Sequence, residues 1–372
     1  MRSLFFVIIQ TILWTDPSAQ SLPIDHQATR ETILLYRHLQ TLAGRGFLFG
    51  HQDDLAYGVG WKYIPGRSDI KDVTGDYPAL YGWELGRIEL DQPNNLDGVP
   101  FSLMKSYIRE GYRRGGVVTI SWHLNNPLTG GSAWQPAAGT VASILPGGDR
   151  NELYKTWLDK VAAFLGDLKG PKDEPIPVIL RLFHELNGNW FWWGGKNCTP
   201  DELRRLWRFT VAYLRDEKHL HNLLYAYNTD RFPTEAAWLE RYPGDEWADI
   251  GGFDIYQAYD IKKNEDYIRA FDHDLSMLQS IATAHGKIAA LTEFGYNGIP
   301  DSTWWTGIFL PTVKKYHLAY VMAWRNAGEK PGGEQEFYVP WPGQASAADF
   351  VRFFRDPQTL FQSDATKENL YR

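Results

Sequence analysis

The chain has 372 residues and a formal net charge of −7 at pH 7, with 38 Lys and Arg residues against 45 Asp and Glu residues. No block of the sequence is rich in lysine and arginine, which argues against nucleic acid as a partner, because polyphosphates are attracted by positive fields. The length fits one α/β barrel domain with long loops, and a single cysteine, Cys198, excludes an internal disulfide.

The first twenty residues have the pattern of an export signal. Residues 1–3 carry a positive charge, 4–13 are apolar, and 17–20 supply a small-residue exit. We therefore predict a cleavable signal peptide over 1–20 and a secreted or periplasmic protein, with 21–372 forming a single catalytic domain. No cysteine near the exit could carry a lipid, and no later segment has the roughly 18 apolar residues of a membrane span. The alternative is a buried N-terminal helix.

Eight short segments are candidate β-strands, and the runs 176–183 and 287–292 have the length and near-continuous apolar character typical of parallel sheets covered on both faces. These predicted strands are 47–51, 78–84, 117–123, 178–184, 223–228, 250–256, 288–294 and 319–325. Helical patterns lie between most of the strands, and the predicted helices include 100–114, 149–168, 264–285 and 303–316.

The clearest helix start follows the fourth predicted strand. Thr199 and Glu202 have the spacing of a capping box, with Pro200 at the first helical position, and apolar residues follow at roughly helical spacing. Strands and helices alternate along the chain, which indicates parallel β/α units, and eight such units predict a (β/α)8 TIM barrel of the α/β class. A doubly wound open sheet is the alternative, but no phosphate-binding glycine loop follows an early strand.

Two glutamates stand where apolar runs end. Glu185 follows the fourth predicted strand and Glu293 lies in the seventh, so both are expected at the carboxyl-terminal rim, where barrel active sites lie. Two carboxyl groups about 5 to 5.5 Å apart are the equipment of a retaining glycoside hydrolase. The residues alone leave open which glutamate is the acid and which the nucleophile. The structural alternative is that both are ion-pair partners of Arg181 and Arg325.

Long connections follow the third and fourth predicted strands. The polar, glycine-rich segment 125–148 and the aromatic segment 189–195 fall on the presumed active face, where loops commonly carry function. Four aromatic residues in the second segment predict a wall that contacts sugar rings, and the alternative is a lid that packs on itself. Further residues near strand ends have no assigned role, namely Asp53, Asp54, Trp83 and Glu84.

Several motifs occur in a fixed order along the chain. They are His184-Glu185-Leu-Asn-Gly with Trp190 five positions beyond the glutamate, Asp254-Ile-Tyr256, Glu293 in Thr-Glu-Phe-Gly, and Trp324-Arg325. Together they resemble glycoside hydrolase family 26, the β-mannanases, over nearly the whole chain, and the segment 344–350 resembles Bacteroidetes-type bacterial members. The resemblance implies a (β/α)8 barrel that cleaves β-1,4 bonds between mannosyl residues with retention of configuration.

By this resemblance Glu185 is the acid/base and Glu293 the nucleophile. The resemblance also implies substrate contacts for His123, His184, Trp190, Asp254, Tyr256, Trp324 and Arg325. We predict no cofactor and no metal, since the adjacency of His184 and Glu185 is poor zinc-ligand spacing and no H-E-x-x-H motif occurs. We expect a monomer that acts on β-mannan or manno-oligosaccharides.

Three alternatives to an endo-acting mannanase stay open. An exo-acting mannobiohydrolase of the same family would need a loop, such as 91–98 or 125–148, that blocks the groove. A β-glucan or β-xylan hydrolase would use the same barrel. A non-catalytic carbohydrate-binding protein would be expected to lack one of the two glutamates, and both are present.

Overall fold

The structure is a computed structural model, and it describes residues 22–258, 260–329 and 335–372. The predicted signal peptide over 1–20 lies outside the described residues. Within the three described ranges, no helix combines the length and the apolar character that crossing a lipid bilayer would require.

Eight parallel strands form a closed barrel, as predicted. They are β1 (Phe47–Gln52), β2 (Leu80–Glu84), β3 (Val117–Ser121), β4 (Val178–Arg181), β5 (Leu223–Thr229), β6 (Ile250–Gln257), β7 (Ile288–Tyr296) and β8 (Tyr320–Ala323). Each strand pairs with the next along the chain, and β8 closes the ring by pairing with β1, with Leu48 opposite Tyr320. The remaining short strands are Tyr57–Gly58, Trp61–Lys62, Gly328–Glu329, Gln335–Glu336 and Thr359–Leu360.

The strand sequences explain why the barrel is covered on both faces. Every residue of the eight strands is buried except Tyr256. Side chains alternate between the two faces of a strand, so Leu48 joins an inner cluster to which all eight strands contribute. Its neighbour Phe49 faces the outer layer, where its ring centroid lies 5.5 Å from Phe353 and 5.0 Å from Phe361.

Helices form that outer layer. They are α1 (Arg30–Leu42), α2 (Asp69–Thr74), α3 (Phe101–Arg113), α4 (Thr140–Ile144), α5 (Asn151–Gly166), α6 (Pro200–Ala212), α7 (Glu235–Leu239), α8 (Asn264–His285), α9 (Leu310–Val313), α10 (Ala347–Phe354) and α11 (Gln362–Glu368). The predicted capping box begins α6: the hydroxyl of Thr199 accepts from the Glu202 amide, and the Glu202 carboxylate accepts from the Thr199 amide at 2.7 Å.

The third and fourth strands end earlier than predicted. Strand β3 stops at Ser121 rather than 123, and β4 stops at Arg181 rather than 184. Beyond β4, Phe183 (φ 46°) and Glu185 (φ 50°) both adopt left-handed backbone conformations, which a strand of L-residues cannot contain. The chain therefore turns sharply at the rim, and Glu185 lies in this turn rather than at a strand end.

The predicted helix over 303–316 is also broken. A π-helix spans Trp305–Phe309, and the short α9 follows it. Pro311 lies inside α9 and has no amide hydrogen, so the regular hydrogen-bond pattern cannot pass through this point. The apolar spacing identified the segment correctly but not its hydrogen bonding.

Candidate active site

The two predicted glutamates meet at the carboxyl-terminal rim of the barrel. Glu185 stands four residues beyond β4, and Glu293 lies within β7. One carboxyl oxygen of each, together with one oxygen of Asp254 from β6, lies within 4.8 Å of the others. The three carboxyl groups therefore share one site, even though more than a hundred residues separate the two glutamates along the chain.

A β-bulge in β7 sets the direction of Glu293. Phe253 of β6 pairs with Leu291, whereas the next residue, Asp254, pairs with Glu293. Thr292 is therefore the extra residue on β7, and the shift brings Glu293 directly beside Asp254. Bulges recur next to active sites because one inserted residue re-aims the side chains that follow it.

Both oxygens of Glu293 accept hydrogen bonds. The guanidinium of Arg181, the last residue of β4, donates to Oε1, and the hydroxyl of Tyr256 donates to Oε2 at 2.7 Å. A cation and a phenol that point at the same carboxylate stabilise its ionised form. The side chain of Glu293 is only 4 % exposed, so water weakens this interaction little.

Glu185 has the opposite surroundings. Its Oε2 accepts one hydrogen bond, from the indole nitrogen of Trp190 at 2.6 Å. Burial, the charge of Glu293 and the charge of Asp230 raise the pKa of Glu185 to about 8, and the Trp190 hydrogen bond offsets only part of this effect. At neutral pH Glu185 therefore carries a proton.

Arg181 and Asp254 are both completely buried beneath the rim, 3.5 Å apart. Oδ2 of Asp254 accepts from Asn228 at 2.8 Å, and its Oδ1 lies 2.7 Å from the hydroxyl of Thr292. Burial and the charge of Glu293 raise the pKa of Asp254 well above its usual range, so Glu293 is the main counterion of Arg181. The family resemblance implies a substrate contact for Asp254, but its side chain has no exposed surface and lies beside Arg181.

His123 and His184 form a contacting pair beside the glutamates. Their Nε2 atoms lie 3.0 Å apart, and Nδ1 of His123 lies 2.8 Å from the carboxylate of Glu84 at the end of β2. His123 is 7 % exposed and His184 is 2 % exposed. Each ring is thus fixed by polar neighbours, and His123 retains the larger accessible surface of the two.

Only one aromatic residue of the segment 189–195 is exposed. Trp190 is 40 % exposed, whereas Phe191, Trp192 and Trp193 are buried. The predicted wall of four sugar-contacting rings is therefore wrong for three of them, because they pack on one another; the rings of Phe191 and Trp193 are stacked with centroids 4.4 Å apart. Trp190 is the ring that this segment offers to a ligand.

Trp324 and Arg325 follow β8 on the same rim. Trp324 is partly exposed and packs against the inner barrel cluster, and the Arg325 guanidinium lies 5.7 Å from its ring centroid. Arg325 forms an ion pair with Asp97 and donates to Glu336 at 3.0 Å. The ion pair with Asp97 ties the loop 91–98 to the exit of β8.

The three clustered carboxyl groups are also the one set of potential metal ligands found within the described residues. A divalent ion there would compete with the Arg181 guanidinium, which already supplies the positive charge between Glu293 and Asp254. It would also displace the donors on Glu293 and Glu185. The donor arrangement suits proton transfer better than metal binding.

Two residues of this site had no functional role in the sequence analysis. Arg181 was considered only as a structural partner, although an arginine that ends the buried run Val-Ile-Leu is itself a signal, because buried charges need a partner. Glu84 ends β2 in the same way and was left without a role. Neither signal could identify the partner, since both partners come from other strands.

Comparisons with known proteins agree with this geometry. A sequence profile described as Glycosyl hydrolase family 26 matches residues 24–324. The solved structure of a GH26 beta-mannanase from Bacteroides ovatus is 44% identical with a TM-score of 0.88, and the match covers 92% of this chain and 98% of that chain. The catalytic domain of a GH26 endo-beta-1,4-mannanase from Bacillus sp. JAMB-750 is 32% identical with a TM-score of 0.86, covering 95% of this chain and 96% of that one.

A curated relative is longer. The mannan endo-1,4-beta-mannosidase of Bifidobacterium adolescentis is 32% identical over 367 residues, which cover 93% of this chain but only 36% of that protein. The chain thus spans about a third of this relative's length, and nearly all of the Bacteroides structure. With the barrel, the paired glutamates and a family profile that extends over most of the sequence, the chain belongs to glycosyl hydrolase family 26.

Proposed function

We propose that this protein is a retaining endo-β-1,4-mannanase that hydrolyses internal bonds of mannan, glucomannan or galactomannan. The observation that carries the proposal is a pair of glutamates with oxygens within 4.8 Å of each other, of which Glu293 is hydrogen-bonded to Arg181 and Tyr256 while Glu185 accepts only from Trp190. Double displacement needs carboxyl groups about 5 to 5.5 Å apart, whereas inversion needs roughly 6.5 to 9.5 Å to admit a water. The names of the relatives support mannan as the polymer.

In the first step Glu293 attacks the anomeric carbon and Glu185 donates its proton to the glycosidic oxygen. The bond from that carbon to the oxygen breaks, the leaving sugar departs as an alcohol, and an ester to Glu293 forms. Arg181 and Tyr256 hold both oxygens of the attacking carboxylate. The carboxylate is therefore already oriented for attack and loses little rotational freedom in reaching the transition state.

In the second step Glu185 acts as a base. The charge of Glu293 is one of the two main causes of the raised pKa of Glu185. The ester removes that charge, so the pKa of Glu185 falls and its carboxylate can accept a proton from the attacking water. The water oxygen bonds to the anomeric carbon, Glu293 leaves as a carboxylate, and both glutamates return to their starting states.

Groups around the glutamates would hold the polysaccharide. We retain substrate contacts for the residues that surround the glutamates at the rim, namely His123, His184, Trp190, Tyr256, Trp324 and Arg325. Trp190 and Tyr256 are 40 % and 36 % exposed, so their rings can stack on sugar rings. Asp254 acts through Arg181 rather than on the sugar.

We also propose that 1–20 direct export and that 21–372 act as one monomeric catalytic domain.

One observation favours an exo-acting mannobiohydrolase as the second candidate. Asp97 forms an ion pair with Arg325, so the loop 91–98 is fixed at the exit of β8. A loop held at this end of the rim could act as the wall that stops a long chain.

The products released over time would separate these candidates. An endo-acting enzyme should lower the viscosity of galactomannan early and should yield a ladder of oligosaccharides from mannohexaose. Release of mannobiose alone from the first turnovers would favour the second candidate. Faster hydrolysis of mixed-link glucan or xylan than of mannan, in parallel assays, would contradict the proposed polymer.

The pH dependence of kcat/KM should show an alkaline limb near the raised pKa of Glu185, which is about 8. The acid is fully protonated well below this value, so the first step is supported there, and kcat/KM should fall about tenfold per pH unit above it. Initial rates on mannopentaose across neutral and alkaline pH would measure the limb. A limb below neutral pH would contradict a protonated Glu185.

A further inference from the structure

Glu84 is a buried charge that the proposed reaction does not use. It ends β2, has no exposed surface, and accepts four hydrogen bonds. The donors are the amide of Gly86 at 2.5 Å, the hydroxyl of Ser121 at 2.7 Å, the amide of His123 at 2.6 Å and the ring Nδ1 of His123 at 2.8 Å. A carboxylate with this many donors is fixed in place and ionised, because each donor stabilises the negative charge.

The ring of His123 carries this interaction on to His184. One hydrogen must lie between their Nε2 atoms, which are 3.0 Å apart. Burial opposes a charge on His123, but Glu84 outweighs it and raises the pKa of His123, whereas burial and the charges of His123 and Arg181 lower the pKa of His184. His123 therefore donates through Nε2 to a neutral His184.

The contact on His184 supports a strained backbone. His184 lies between Phe183 and Glu185, which both have positive φ although neither is a glycine. Such conformations are strained and persist only where neighbouring contacts hold them. His123 holds the ring of His184, and the indole of Trp193 donates to its carbonyl oxygen at 3.0 Å.

We infer that Glu84 is a positioning residue of this active site. Acting through His123 and His184, it holds the backbone that carries Glu185 and keeps a positive charge beside the two glutamates. The inference rests on the proposed roles of Glu185 and Glu293.

Few charged groups surround the series of contacts that runs from Glu84 through His123 to His184. Glu84, His184, Glu293 and Asp97 face His123, and the ring of Trp134 stacks on it with centroids 5.0 Å apart. The charged or hydrogen-bonding groups that face Glu185 are Glu293, Asp230, Trp190, His123, Asp254 and Tyr256. Glu84 raises the pKa of His123, and a positive charge on His123 favours the ionised form of Glu185.

The substitution Glu84→Gln tests the charge. Glutamine keeps the shape and can still hydrogen-bond to His123, but it removes the negative charge that keeps His123 protonated. Loss of the positive charge favours the protonated form of Glu185, so the alkaline limb of kcat/KM should move upward by about half a pH unit or more. Glu84→Ala also removes the anchor, and kcat should fall roughly 100-fold with KM little changed, as expected for a misplaced acid.

Glu89→Gln is the matched control. Glu89 is also a buried carboxylate and accepts from Trp122 at 3.0 Å and from the amide of Asn125 at 2.8 Å, without contacting His123. The Glu89→Gln substitution should leave the alkaline limb of kcat/KM unchanged. An unmoved limb in Glu84→Gln, or equal limbs in the Glu84 and Glu89 variants, would overturn the inference. Full activity of Glu185→Gln would instead refute the proposed function.

A measurement on the unsubstituted protein covers the case in which the Glu84 variants do not fold. With ¹⁵N-labelled histidine, His123 should remain doubly protonated at neutral pH and should show a nitrogen–nitrogen scalar coupling to His184 across their hydrogen bond. Two neutral rings over the neutral and mildly acidic range would overturn the inference.

Discussion

Glu185→Gln should lower the turnover of β-mannan by about 10²- to 10⁴-fold, the usual contribution of a positioned general acid and base. The amide cannot donate a proton to the glycosidic oxygen in the first step or accept one from water in the second. Its oxygen can still accept the hydrogen bond from Trp190, which is 2.6 Å long in the parent protein. The fold should therefore be retained, and initial rates on galactomannan at mildly acidic pH would measure the loss.

The dependence of the rate on the acidity of the leaving group distinguishes a glutamate that acts as the acid from one that is only structural. A manno-oligoside with an acidic phenol as leaving group needs no proton, so the variant should release phenol in a burst and then stall as the glycosyl-enzyme. Mass spectrometry would detect the added sugar. The control Glu89→Gln should show neither the burst nor the stall. Near-normal hydrolysis of mannan by Glu185→Gln would refute the assignment.

Glu293→Ala should lower the rate of mannan hydrolysis by several orders of magnitude. Added azide should partly restore cleavage of an activated substrate. The small anion can occupy the space of the missing carboxylate and attack the anomeric carbon from the same side. One displacement inverts the configuration, so the product should be the α-glycosyl azide, which proton NMR identifies.

The charge balance beneath the site allows this variant to fold. Loss of Glu293 removes the main counterion of the buried Arg181, but it also removes a charge that raises the pKa of Asp254. Asp254 can then ionise 3.5 Å from Arg181 and replace the lost pair. The matched variant Glu185→Ala should give the β-azide with the same reagents. An α-azide from Glu185→Ala would show that the two roles are exchanged.

The sequence predicted those features that depend on local patterns. Runs that are mostly apolar indicated the eight strands because a sheet covered on both faces buries the side chains on both sides of each strand. Thr199, Pro200 and Glu202 indicated the start of α6 because capping groups act within one turn. The two glutamates were identified because each ionisable side chain follows or ends an apolar run, which places it at the barrel rim where active sites lie.

The features that depend on distant contacts were not predictable. Phe183 and Glu185 carry no glycine signal, since their left-handed conformations are imposed by groups from other strands. The bulge at Thr292 depends on the pairing of β7 with β6. Burial of Trp192 and Trp193 depends on neighbours such as Leu124, whose carbonyl oxygen accepts from Trp192, so aromatic composition alone suggested too large a binding wall.

The buried rings of the segment 189–195 give Trp190 a rigid mount. Their packing, the hydrogen bond from Trp193 to the turn at His184, and the contact of Asn197 with the carbonyl of Asn189 at 3.1 Å leave the exposed indole little freedom before a sugar arrives. A preorganised platform loses little conformational entropy on binding. The affinity for a sugar stacked on Trp190 should therefore depend on the shape of that sugar ring. It should depend very little on the length or stiffness of the segment 189–195 that carries Trp190.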